Sequence, residues 1–176
     1  MAVRKLGIQV DIPGFGKIDL RVLVTDYTGT HSCGGVLVPG ARERLLKLSE
    51  ILDIHVLTSD TFGTVRKELA DIPHTLHLLD GKAHDKQKAR FIQNLQHVRS
   101  MGHAVDGNRI AAFGNGRNDR LMLRAVRQAG GIAVAIDNGE GCAVEAQREA
   151  NIFVHGSAAA LDLLLDTKRL KATLRA

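Results

Sequence analysis

Short aliphatic runs alternate with amphipathic stretches from residue 20 to the C-terminus. This alternation restricts the fold more than any other feature of the chain. The apolar runs are Val22-Leu23-Val24, Ile54-His55-Val56-Leu57, a weaker one at 75–79, Ile110-Ala111-Ala112-Phe113, 132–136 and 152–154. Between them, 41–52, 61–70, 84–100, 119–128, 140–149 and 157–165 read as helices; 41–52 carries Leu45, Leu46, Leu48, Ile51 and Leu52 as its stripe. Repeated strand–helix–strand units imply parallel βαβ connections. The predicted fold class is therefore α/β, a three-layer α/β/α Rossmann-like sandwich around a parallel central sheet. Two earlier β-like runs, 6–12 and 17–24, flank Pro13-Gly14-Phe15-Gly16 and read as an N-terminal β-hairpin leading into the first core strand. Residues 31–38, with Gly34-Gly35, read as a small flap over the end of that strand. The basic tail, 167–176, reads as a last helical turn or two.

Composition narrows the class. One domain over 1–176 is expected, with a core that must be aliphatic because aromatic residues make up only 3% of the chain. No apolar run reaches the 18 residues of a membrane span, and Met1-Ala2-Val3-Arg4-Lys5 lacks the apolar segment of an export signal. Cys33 and Cys142 form no metal or disulfide pattern, so a reduced, cytoplasmic setting is expected. The net charge of +5 favours anionic ligands. It is spread along the chain with few aromatics for base stacking, which argues against nucleic acid despite the tail Lys168-Arg169-x-Lys171. Gly14-x-Gly16 lacks the third glycine of a dinucleotide-binding loop.

The polar residues gather where strands end. Val22-Leu23-Val24 stops at Thr25-Asp26-Tyr27-Thr28-Gly29-Thr30, and in parallel α/β sheets ligands sit beyond the carboxyl ends of strands. Two other strands end at Thr58-Ser59 and at Gly114-Asn115-Gly116-Arg117-Asn118-Asp119, and Lys88 stands near the start of the helix between them. Phosphoryl transfer requires parts of this kind. A carboxylate can attack phosphorus, a divalent cation can neutralise the phosphate oxygens, and a lysine lets one anion approach another. Each part also has a plainer role. Asp26 suits a turn, Thr58-Ser59 and Asn118-Asp119 suit helix caps, and Lys88 lies in a lysine-rich, solvated stretch.

The order of these motifs resembles the haloacid dehalogenase (HAD) superfamily, in particular its soluble P-type-ATPase-like phosphatases. The family's Asp-Lys-Thr-Gly-Thr is similar to Asp26-Tyr27-Thr28-Gly29-Thr30, and its Gly-Asp-Gly-x-Asn-Asp to Gly114-Asn115-Gly116-Arg117-Asn118-Asp119. The resemblance implies that Asp26 is the nucleophile and, with the Thr28 carbonyl, a Mg²⁺ ligand. Thr58 would hold a phosphoryl oxygen, and Lys88 would bridge Asp26 and the phosphate. Asn115 and Asp119 would complete the metal site, with Asp119 supplying the charged contact. Gly29, Thr30, Ser59, Gly116 and Asn118 would line the substrate. Two departures stand out: Asn115 replaces the family's metal-binding carboxylate, and Thr28 stands where many of these phosphatases carry a second, acid–base Asp. The expectation is a Mg²⁺-dependent phosphohydrolase that works slowly through an aspartyl-phosphate on a phosphorylated substrate. The alternative is a regulatory or phosphate-binding module. Should Thr28 not limit turnover, Asp60 or His31 becomes the candidate base. Neither 31–57 nor 60–87 leaves room for a cap domain, so the flap, a large substrate or a second copy in a homo-oligomer would have to exclude water.

Overall fold

The computed structural model describes residues 5–97 and 106–176. A hairpin of β1 (Ile8–Ile12) and β2 (Gly16–Leu20) leads into β3 (Val22–Thr25), a two-rung flap of β4 (Ser32–Cys33) and β5 (Val36–Leu37), and α1 (Ala41–Ile51). There follow β6 (Asp53–Thr58), α2 (Val65–Glu68), β7 (Thr75–Leu78) and α3 (His84–His97). The second half holds β8 (Ile110–Gly114), α4 (Arg120–Gln128), β9 (Ile132–Asp137), α5 (Val144–Glu149), β10 (Ile152–His155), α6 (Ser157–Leu165) and α7 (Thr167–Leu174).

Among the described residues, six strands form the central sheet in the order β10-β9-β8-β3-β6-β7, with every neighbouring pair parallel. β3 lies between β6 and β8, so that Thr25 pairs with Val56 on one side and Phe113 on the other. The chain runs outward from β3 through β6 to β7, then crosses back to build β8, β9 and β10. The strand order therefore reverses between β3 and β8, and in open α/β sheets ligands bind beyond the carboxyl ends of the strands at such a point.

Strand periodicity sorts the core into two layers. Leu23, Ala111, Phe113, Ile132, Val134 and Ile136 face α1 and α6, where Leu45, Leu48, Leu161 and Leu164 meet them. Val22, Val24, Ala112 and Ala133 face the opposite layer, with Ile92 of α3 and Met122, Leu123 and Val126 of α4. The small side chains Ala112 and Ala133 let α4 lie close to the sheet. Burial of each large aliphatic side chain contributes about 1.5–3 kcal/mol.

The three-layer sandwich and the hairpin follow the sequence reading, whereas several boundaries differ. The run 17–24 is two strands. Leu20 still pairs with Ile8, but Arg21 N–H donates to Arg109 O at 2.8 Å and Arg21 O accepts from Asp53 N–H at 2.9 Å. Arg21 therefore marks the point where the chain leaves the hairpin and enters the main sheet. The helix predicted over 61–70 shrinks to α2, because Gly63 (φ +68°) breaks it and the Asp60 carboxylate caps the shorter turn at Thr64 and Val65. The helix predicted from 140 begins only at Val144, because Asp137 Oδ1 gathers the N–H groups of Gly139 and Gly141 into a loop. Residues 117–119 form a separate 3₁₀ turn before α4. The predicted end of α3, including Val98, lies outside the described residues.

His31 fastens the start of the flap to α6. Its Nδ1 lies 2.6 Å from Ser157 Oγ and its Nε2 2.9 Å from Thr25 Oγ1. Burial lowers its pKa from 6.5 to about 3. The unfolded chain therefore binds a proton near pH 6.5 that the folded chain refuses until about 3. Stability from this group is complete above pH 6.5 and is lost as the pH falls toward 3, by at most about 1.4 kcal/mol per pH unit. In urea melts between pH 7.5 and 4, His31→Leu should be less stable than wild type at the upper end and show a shallower decline. An unchanged slope would mean that other groups dominate the acid limb.

Candidate active site

Asp26 follows the last residue of β3, held in line by its N–H to Phe113 O at 3.0 Å, and is 5% exposed. The chain then turns tightly. The N–H groups of Thr30, His31 and Ser32 all converge on Tyr27 O, and Gly29 N–H donates to Ser32 O. These bonds use the carbonyls of Tyr27 and Ser32 and leave that of Thr28 out. Gly29 is required twice: its φ is +77°, and a Cβ there would lie 2.3 Å from Asn115 Nδ2. Its bare backbone lets the β3 turn close against the turn after β8. Thr30 Oγ1 sits at that seam, 3.2 Å from Asp26 Oδ2 and 3.3 Å from Asn115 Oδ1.

Lys88 joins the two turns from α3. Its side chain is fully buried, with Nζ 2.7 Å from Asp26 Oδ1 and 2.6 Å from Asp119 Oδ1. The other oxygen of Asp119 accepts the N–H groups of Asn115 and Gly116 at 3.0 and 2.9 Å. Gly114 is needed here, since a Cβ would lie 2.5 Å from the Asp119 side chain. Burial alone would lower the Lys88 ammonium, but attraction from Asp119 and Asp26 outweighs it and raises its pKa. Asp26 shifts from 3.8 to about 6, because burial penalises its charge more than Lys88 favours it.

The remaining expected site residues lie around this core. Thr58 is buried and its Oγ1 accepts the N–H of Asp60 at 3.0 Å, which leaves the hydroxyl proton to donate. Ser59 is exposed, and its hydroxyl lies 3.4 Å from that of Thr61. Asn118 is exposed; its Oδ1 would lie 2.4 Å from a Cβ on Gly116, so that glycine admits the side chain over the turn. Asp119 is fully buried, with Oδ1 on Lys88 and Oδ2 on two N–H groups, and so braces the turn after β8. Of the two fallback bases, Asp60 caps α2 through Oδ1, and His31 is buried between Thr25 and Ser157. The loop after β9 carries no chemical motif, yet it positions Asn115. Gly141 O accepts from Asn115 Nδ2 at 3.3 Å, and Ala143 N–H donates to Asn115 O at 2.8 Å.

The arrangement predicts a large penalty for removing the central cation. Lys88→Met leaves two carboxylates facing each other in a dry site and should lower stability by about 3–5 kcal/mol near neutral pH. Adding Asp119→Asn to that variant should restore part of the loss, because one uncompensated charge is gone. Denaturant melts of the two variants measure this, and equal stabilities would show that the charges are not coupled.

No protein-family model and no curated protein sequence matches this chain. Solved structures do. The 3-deoxy-D-manno-octulosonate 8-phosphate phosphatase of Moraxella catarrhalis, in complex with magnesium, phosphate and its sugar acid, superposes with a TM-score of 0.60 at 16% identity, covering 87% of this chain and 90% of that one. A cobalt-bound phosphatase of the same name from Haemophilus influenzae gives 0.58 at 16% identity, over 89% and 94% of the two chains. A haloacid dehalogenase-like hydrolase from Streptococcus pneumoniae gives 0.55 at 11% identity, over 82% and 98%. With the parallel sheet, the N-terminal hairpin and the crevice beyond β3 and β8, these likenesses identify the fold of the chain as that of the haloacid dehalogenase superfamily hydrolases.

Proposed function

We propose that this protein is a Mg²⁺-dependent phosphohydrolase in which Asp26 attacks phosphorus and forms an aspartyl-phosphate. The observation that carries this reading is the buried Asp26–Lys88–Asp119 chain at the point where the strand order reverses. A carboxylate held by a buried lysine at such a crevice is arranged for nucleophilic attack on an anionic ester. The fold supports it, since the Moraxella phosphatase binds magnesium and phosphate.

The donor set fits a hard cation. Asp26 offers a carboxylate, Asn115 an amide oxygen and Thr28 a main-chain carbonyl outside the hydrogen bonds of its turn, and Mg²⁺ takes oxygen ligands and keeps several waters. Asp119 is set behind this group, fully buried with Oδ2 on two N–H groups and Oδ1 on Lys88, whereas Asp26 Oδ2 meets only the Thr30 hydroxyl. When bound, the ion would supply charge neutralisation for the phosphoryl oxygens. Only one ligand would then be anionic, so Asn115→Asp should tighten Mg²⁺ binding. Asp119→Asn should act mainly through stability, by loosening Lys88.

The protein residues divide the rest of the work. Lys88 holds Asp26 oriented and screens its charge from the incoming phosphate. Thr58 donates its hydroxyl proton to a phosphoryl oxygen, while Gly29, Thr30, Gly116 and Asn118 shape the walls. As Asp26 bonds to phosphorus the leaving oxygen departs, and water then cleaves the aspartyl-phosphate to release phosphate and restore Asp26. Thr28 cannot serve as a proton acceptor for that water near neutral pH, so general-base assistance of about 10²–10⁴ is missing from its position. The phosphoenzyme should accumulate.

The test uses acetyl phosphate and p-nitrophenyl phosphate with Mg²⁺. Wild type should turn over slowly and retain acid-stable label from radiolabelled acetyl phosphate. Asp26→Asn should lose both turnover and label with its fold intact, and Thr28→Asp should speed loss of the label. Hydrolysis by Asp26→Asn at the wild-type rate would overturn the assignment.

A further inference from the structure

We propose that His84 contacts the substrate, with its Nε2–H donating a hydrogen bond to the leaving-group oxygen of the phosphate ester. This rests on the phosphatase reading above and extends it to the side of the site opposite Asp26.

Three observations lead to His84. It is the first residue of α3, four positions before Lys88. Residues four apart lie on one face of a helix, and helical side chains lean toward the N-terminus. The face that carries Lys88 into the site therefore carries His84 too, about 6 Å further along the helix axis toward its start. That start lies beside the turn after β8: Asp85 pairs with Arg120 at 2.8 Å, which ties the first turn of α3 to the first residue of α4, directly after Asp119.

The second observation concerns a missing partner. His84 Nε2 is buried and, among the described residues, meets no hydrogen-bond partner. A buried polar nitrogen without a partner is costly and rare, and a bound ligand is one way to satisfy it. Third, the backbone before it is strained. Ala83 adopts φ +62°, a left-handed conformation that costs a non-glycine residue roughly 1–2 kcal/mol, while its carbonyl accepts the first helical bonds from Lys86 and Gln87. The loop is also clamped, because Gln87 Nε2 donates to Asp80 O at 2.7 Å and to Lys82 O at 3.0 Å. Strain held in place by such bonds fixes where His84 begins.

The chemistry of the site makes use of a donor there. In an in-line displacement the leaving oxygen lies across phosphorus from the nucleophile. Lys88 serves the Asp26 side, and His84 stands one turn of helix further out. Charge that develops on the departing oxygen would then meet an N–H held in place before the reaction, the kind of contact that strengthens in the transition state. Asp119 and His31 are buried on other partners, and Asp60 caps α2.

The experiment compares wild type, Asp26→Asn, His84→Ala, His84→Gln and His84→Asn on phenyl phosphate and p-nitrophenyl phosphate with Mg²⁺. Phenolate is the poorer leaving group and needs the donor more. His84→Ala should lose about 10²-fold in kcat/KM on phenyl phosphate. Its loss on p-nitrophenyl phosphate should be several-fold smaller. The amide nitrogen of glutamine can occupy the place of Nε2, so His84→Gln should recover most of the loss. That of asparagine falls near Nδ1, so His84→Asn should not. Should His84→Ala fail to fold, the Gln and Asn variants still decide between a donor and a filler of space. Equal losses on both esters, or Gln and Asn behaving alike, would overturn the role of His84 while leaving the phosphatase reading intact. Turnover that persists in Asp26→Asn, or an inert wild type, would overturn that reading and this one with it.

Discussion

A single buried ammonium governs the site. Lys88 has no exposed side-chain surface and takes one oxygen from each of two carboxylates. Three charges in a row, two negative around one positive, are tolerated out of water only because each is paired and hydrogen-bonded. The arrangement fixes more than itself. Through Asp26 it positions the end of β3. Through Asp119 it organises the turn after β8, since the other Asp119 oxygen gathers two N–H groups there. Two turns, anchored at Asp26 and Asp119 and 93 residues apart in the chain, are locked to α3 by one side chain, and the net charge that remains is a single negative one.

That remaining charge explains why the substitution at Asn115 is tolerable and what it costs. A carboxylate at Asn115 would face Asp26 across the Thr30 hydroxyl, which is 3.2 and 3.3 Å from the two side chains. Without a bound dication the two anions would repel in a dry crevice, where Coulomb energies are several times those in water. An amide there removes the repulsion and weakens the hold on a cation. The raised pKa of Asp26 has the same origin: burial already makes its charge expensive.

Much of this could be read from the residues in order, because βαβ alternation is a strong periodic signal and turns beyond parallel strands are where ligands gather. Asp26, Lys88, Asn115 and Asp119 were all visible as strand-end or helix-start residues. Their division of labour was not. A sequence shows that Asp119 is a carboxylate; only the fold shows that it holds Lys88 with one oxygen and the backbone of its own turn with the other. His84 carried no signal at all, since a histidine at a polar helix start is ordinary until its nitrogen is found buried with no partner among the described residues. The hairpin boundary failed for a related reason. Residues 17–24 form one extended run by propensity, and only the change of partners at Arg21 divides it.

The flap shows how far local composition can mislead about motion. Glycines at 34 and 35 suggest a hinge, and a chain without a cap invites a lid. Yet Gly35 O accepts from both Tyr27 Oη and Thr64 Oγ1, Gly34 N–H donates to Glu140, Leu37 N–H to Glu68, and Asn138 Nδ2 to Ser32 O. These partners come from three different parts of the chain. Lids are drawn from segments with few such ties, because opening must break every one of them. The flap is therefore a fixed wall, and its glycines serve close approach: a Cβ on Gly35 would lie 2.6 Å from Phe62. With the flap tied down in this way, water exclusion at Asp26 falls to the substrate itself or to a second copy of the chain. The reacting group would then need to fill the space between the flap and the start of α3, which gives a donor at the α3 edge its purpose.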